Sequence, residues 1–198
     1  MDSTFREIRG RDLFVQSIIP ELYELYPGKI SFVDRFLRTK VRSETLSKQD
    51  RDLLHNLILG VLRDNESAVI KTLLIFFTDL EGYLRKNLGR SVERYSSRPI
   101  RQLYEDAKIP KDTKHVSLGN LLTLYILAFR DSTAGDALPR IHPEALAHLR
   151  NLAAHSAEEL LRGWENLFET LVKDLPGVRY LIRVIERITG SGIISAYH

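Results

Sequence analysis

Val69-Ile70-Lys71-Thr72-Leu73-Leu74-Ile75-Phe76-Phe77-Thr78-Asp79-Leu80 is the stretch that decides the fold. Its apolar residues return at intervals of three and four, the period of a helix, and they occupy more than one helical face. A helix of that kind is surrounded by other elements. Asn65 can cap its start and Gly89 can stop it, so one long helix is predicted from there to Leu88, central and buried.

Working outward, the same helical period recurs almost throughout, and strand-like alternation bounded by turn pairs is nearly absent. Upstream, helices are predicted over Asp12 to Tyr26 (divided at Pro20 and ended by Pro27-Gly28) and over Ser31 to Lys40. Ser47 with Asp50 opens another, with Leu53, Leu54, Leu57, Ile58 and Val61 on one side. Downstream, Arg90 to Arg98 reads as a basic loop, Pro99 to Ala107 as a short helix, and Lys108 to Val116 as a second loop. Leu118 to Phe129 is an apolar helix, and Asp131 to Pro139 is a surface connection. Pro143 suits the first turn of a helix carrying Ala145, Leu146, Leu149, Leu152 and Ala153 inward. Ser156 and Glu159 have capping-box spacing for a helix reaching Lys173, and Pro176 to Ile188 is the last helix. The reading is an all-α protein.

Composition narrows the class. The 198 residues carry 29 Lys and Arg against 26 Asp and Glu, a net charge of +3, which is mildly basic and compatible with nucleic acid. Cysteine is absent, which excludes disulfides, thiolate metal sites and cysteine nucleophiles. The start of the chain lacks the charge and apolar pattern of a signal peptide, and no apolar run is long enough to span a bilayer. The expected location is the cytoplasm, with no membrane contact.

The chemistry-bearing run is Leu149-Arg150-Asn151-Leu152-Ala153-Ala154-His155-Ser156. Arginine grips phosphate through a planar fork, and histidine moves protons near neutral pH. Asn151 and His155 are four apart and share a helix face. No Asp or Glu lies between Glu144 and Glu158 to repel a phosphate. RNA supplies its own nucleophile, the 2′-hydroxyl. An imidazole could accept that proton or protonate the leaving 5′-oxygen, and Arg150 could neutralise the charge that builds on phosphorus, with Asn151 positioning. No metal or cofactor is required. One histidine does not easily serve as base and acid in one step; a second copy across a two-fold axis would solve this. The competing reading is a solvated amphipathic helix.

Arg150-Asn151-Leu152-Ala153-Ala154-His155 resembles the R-x4-6-H motif of the HEPN superfamily, near the end of one helix and followed by another. Phe76-Phe77-Thr78-Asp79-Leu80-Glu81-Gly82-Tyr83-Leu84-Arg85 resembles the long first helix of such domains. Ser117-Leu118-Gly119-Asn120-Leu121-Leu122 resembles the start of their next major helix. The resemblance covers Val61 to Ile188. It implies a HEPN-like helical bundle over residues 61–189, with residues 1–60 as an additional N-terminal helical region and 190–198 as a tail. It implies a homodimer and a metal-independent endoribonuclease cleaving single-stranded RNA to 2′,3′-cyclic phosphate and 5′-hydroxyl ends, as in toxins or defence effectors held by an antitoxin or regulatory protein. Arg150 and His155 would be catalytic, Asn151 would support them, and Glu81 would orient the site. The tyrosine that some toxins carry two residues after the histidine is Ala157 here. Other members are non-catalytic RNA- or protein-binding modules, and that alternative stays open.

A second constellation is basic. Arg85, Arg90, Arg94, Arg98 and Arg101, with Lys86, Tyr95 and Tyr104 nearby, could form an RNA groove of phosphate contacts and stacking rings; the alternative is a solvated loop balanced by Glu93 and Glu105. Lys108, Lys111, Lys114 and His115 read as a solvated loop. Glu144 and His148 share a helix face but have no evident third ligand, and His148 and His155 are about 10 Å apart, too far for one ion. No metal site is expected. His55, His142 and His198 read as surface or boundary residues. Trp164 reads as core or dimer interface.

Overall fold

The computed structural model describes residues 47–63, 65–96, 99–109, 116–130 and 140–190. The helices expected over Asp12 to Tyr26 and Ser31 to Lys40, the connection 131–139 and the tail beyond Gly190 lie outside these residues. Every regular element among the described residues is a helix: α1 (Lys48–Leu62), α2 (Glu66–Tyr95), α3 (Ile100–Asp106), α4 (Leu118–Arg130), α5 (Pro143–His155), α6 (Ala157–Arg162) and α7 (Trp164–Thr189). The fold is all-α. No helix among the described residues is long and apolar enough to cross a membrane.

The 30 residues of α2 make a rod about 45 Å long, and it packs against all six other helices. Val69, Leu73, Phe76, Phe77, Leu80, Leu84 and Leu88 of α2 are buried, as the apolar period requires. Asn65 Oδ1 accepts the amide of Ala68 (3.1 Å) and caps the start. The far end departs from expectation: Gly89 does not stop the helix, which runs to Tyr95. A glycine ends a helix by turning left-handed, and among described glycines only Gly190 has positive φ. Gly89 stays helical, and nothing between it and Pro99 forbids continuation.

Ser47 and Asp50 form a complete capping box at the start of α1. The same Asp50 accepts Arg179 Nε of α7 at 2.6 Å, and the acid is fully buried. One carboxylate thus closes a helix end and fastens α1 to α7. The expected boundary at residue 60 falls inside α1, whose Leu54, Leu57 and Ile58 share one core with α2, α4, α5 and α7.

The C-terminal helices divide differently from expectation. The break falls at Gly163 rather than near Pro176, and α7 carries Pro176 inside it. Proline removes one amide donor toward Val172, but Leu171, Leu175, Val178 and Leu181 are buried on both sides of it. Continuity of that apolar face outweighs the loss of one bond. The capping box expected at Ser156 is also absent. Ser156 ends α5, donating its amide to Leu152 O (2.8 Å), and its ψ is 60°, far from the extended 164° at Ser47. At that backbone angle the Ser156 side chain makes no cap, whereas Ser47 holds the extended conformation typical of one.

Between α4 and α5 the backbones run close. A Cβ on Gly119 would lie 3.2 Å from Ala147 Cβ and 3.4 Å from Pro143 O. This approach brings the start of α4 against the middle of α5, where the candidate residues lie.

Candidate functional site

Three elements enclose a cleft of about 350 Å³ lined by Glu81 and Arg85 of α2, Val116, Ser117 and Leu118 at the start of α4, and Ala147, Arg150 and Asn151 of α5. Each polar group arrives for a local reason. Glu81 follows Leu80 and precedes Leu84 on α2, so it stands at the edge of the buried face. Its side chain is 17% exposed. Arg150 follows buried Leu149 on α5 and emerges beside it. Arg150 Nε lies 3.2 Å from Glu81 Oε1, and Arg150 Nη1 donates to Asn151 Oδ1 at 3.4 Å. Arg85, one turn beyond Glu81, donates from Nη2 to Val116 O (3.1 Å), which ties the chain entering α4 to α2.

The structure therefore brings together Glu81, Arg85, Arg150 and Asn151. It does not bring His155 into the same cleft. His155 is the last residue of α5, exposed, and is not among the cleft-lining residues. Five helical residues rotate it roughly 140° from Arg150. Within one chain the guanidinium and the imidazole point to different surroundings.

The basic constellation separates. Arg85 belongs to the cleft, and Arg90 and Arg94 lie on the last turns of α2. Arg98 lies outside the described residues. Arg101 is on α3, exposed and paired with Glu105 at 3.2 Å. Tyr104, expected as a stacking ring, is buried in the core, and burial raises its phenol above the usual range, with Arg85 opposing. Buried rings are not platforms for bases. Trp164 packs against the core and meets Phe168 edge to face, with centroids 6.0 Å apart.

Among the described residues, no three His, Asp or Glu side chains converge to hold a metal ion. Two polar features escaped the sequence reading. Tyr83 on α2 has its hydroxyl buried without a hydrogen-bond partner among the described residues, and its pKa is pushed up to about 12 by burial and then by the nearby Glu186 carboxylate. Asp174 of α7 is fully buried and bonded to His142, whose ring is a partner to the core rather than a bystander. The available signal was the position of Asp174 on the apolar stripe of Leu167, Leu171, Val178 and Leu181, where an acid needs a partner.

Compared with known proteins, the chain matches no family model, no curated protein and no solved structure.

Proposed function

We propose that this chain is a metal-independent endoribonuclease of the HEPN type that acts on single-stranded RNA in the cytoplasm as a homodimer. The observation that carries the reading is the Glu81–Arg150 pair at a cleft also lined by Asn151 and Arg85. Glu81 engages the Nε edge of Arg150, which orients the guanidinium fork toward a phosphate. The 2′-hydroxyl of the substrate attacks phosphorus, His155 transfers the proton, and Arg150 stabilises the charge on the phosphoryl oxygens. The products are a 2′,3′-cyclic phosphate and a 5′-hydroxyl. His155 stands apart from Arg150 in one chain, so the reaction requires a second copy to bring an imidazole to the phosphate. In biological terms this activity suits a toxin or defence effector under the control of an antitoxin or regulatory protein.

A second reading has its own support. Glu81 offsets much of the charge of Arg150, and His155 lies outside the cleft, an arrangement that also serves a non-catalytic module binding RNA or a protein. Incubation with unstructured RNA in excess EDTA separates the two. For the nuclease, cleavage survives chelation and falls by roughly 10²–10⁴-fold in Arg150→Ala and in His155→Ala, with helical content unchanged. Retained RNA binding with no cleavage in the unaltered chain supports the module. Cleavage that needs a divalent ion defeats the mechanism.

A further inference from the structure

Helix α5 carries Arg150, Asn151 and His155, and the residue just before its first turn is fastened from across the bundle. His142 is the N-cap of α5 and makes no side-chain cap of its own. Instead its backbone amide donates to Asp174 Oδ1 of α7 (3.3 Å), and its ring Nδ1 lies 2.7 Å from the same oxygen. The Asp174 side chain is 0% exposed and that of His142 is 42% exposed. Asp174 Oδ2 is buried and accepts no hydrogen bond from the described residues. A carboxylate so enclosed needs a donor, and a cation serves better than a neutral one.

We propose that the His142–Asp174 pair is a proton-coupled anchor for α5, so that a proton on the pair sets how firmly the segment bearing Arg150 and His155 is held. His142 and Asp174 are positioning residues in this scheme, and their link to RNA cleavage rests on the function proposed above. A neutral His142 donates from Nδ1 to the carboxylate and leaves Nε2 unprotonated. An added proton leaves the buried site with no uncompensated charge.

Burial raises the Asp174 carboxyl above its ordinary range; the His142 hydrogen bond, the His142 ring charge and Lys173 oppose it. Lys173 on α7 is itself exposed and reaches toward Glu169 (3.7 Å). Glu144, in the first turn of α5, is exposed. Beyond His142 and Lys173, no charged group among the described residues weighs on the Asp174 carboxyl. The sign follows. The folded Asp174 carboxyl holds its proton more tightly than in the unfolded chain, where an aspartate titrates near about 4. The stability tied to that proton is therefore full below about pH 4 and declines as pH rises through the raised range of the folded carboxyl.

The test uses the full chain without RNA. Long-range proton–nitrogen correlation spectra at pH 8 should show the wild-type His142 ring protonated at Nδ1, the resonance being assigned by its loss in His142→Gln. Amide exchange, corrected for intrinsic rate, should show α5 protected severalfold more at pH 5 than at pH 8. That contrast should vanish in Asp174→Asn and shrink in His142→Gln. A neutral ring protonated at Nε2 overturns the proposal. So does a full pH contrast in either variant, or a contrast spread evenly over all helices. If Asp174→Asn fails to fold, the wild-type tautomer and the His142→Gln exchange still decide. Because these readouts need no RNA, their failure leaves the nuclease reading standing. Absent cleavage with both intact overturns that reading alone.

Discussion

Arg150 meets Glu81 because each follows a buried leucine on its own helix, Leu149 on α5 and Leu80 on α2, and those leucines share one core. That much was legible: an acid within an apolar row, and an arginine at the flank of another. The divergence of His155 from Arg150 follows from five residues of helical spacing, but which of the two lies in the cleft beside Glu81 was not legible, because it depends on how α5 packs against α2. The buried pair of His142 and Asp174 was hidden for a related reason, since residues on two distant helices give no local spacing to read. Tyr83 offers a test of burial at this scale. Its hydroxyl has no partner among the described residues, so Tyr83→Phe removes an unsatisfied polar group. The change should leave stability unchanged or raise it by up to about 1 kcal/mol, measured by urea denaturation. A loss well beyond that would reveal a hydrogen bond at the phenol.

Among the elements, two serines with the same capping spacing behave differently. Ser47 Oγ accepts the amide of Asp50 at 3.1 Å, whereas Ser156 forms no side-chain cap. Ser47→Ala should therefore cost about 1 kcal/mol, and Ser156→Ala should stay within about 0.5 kcal/mol, both read from the shift in denaturation midpoint. The serine-to-acid spacing was equally visible at both sites. What differed was the backbone, because Ser156 must also finish α5. The tie between α1 and α7 makes a larger prediction. Arg179 is 15% exposed and Asp50 fully buried, so Arg179→Met strands a carboxylate in the core and should cost about 3 kcal/mol. Replacing both partners with apolar residues should recover part of that loss. Equal losses in the single and double variants would mean that the pair carries no coupling.

For the whole molecule, the proposed reaction depends on association, because one chain keeps Arg150 in a cleft that His155 does not reach. Cleavage per chain should then fall on dilution in step with the dimer fraction measured by sedimentation equilibrium. Activity that stays proportional to protein concentration through complete dissociation would overturn the composite site. By itself the amino-acid sequence determined the helical class, the buried face of α2, the caps at Ser47 and Asn65 and the proline start of α5, because period, capping and backbone restriction are set within a few neighbouring residues. Only the tertiary structure decided that α2 runs past Gly89, that α7 passes through Pro176, that Asp50 and Asp174 are held in the core, and that Glu81 rather than His155 faces Arg150. Those outcomes turn on packing energy between helices far apart in the chain, where a shared apolar face outweighs a single glycine, proline or missing cap.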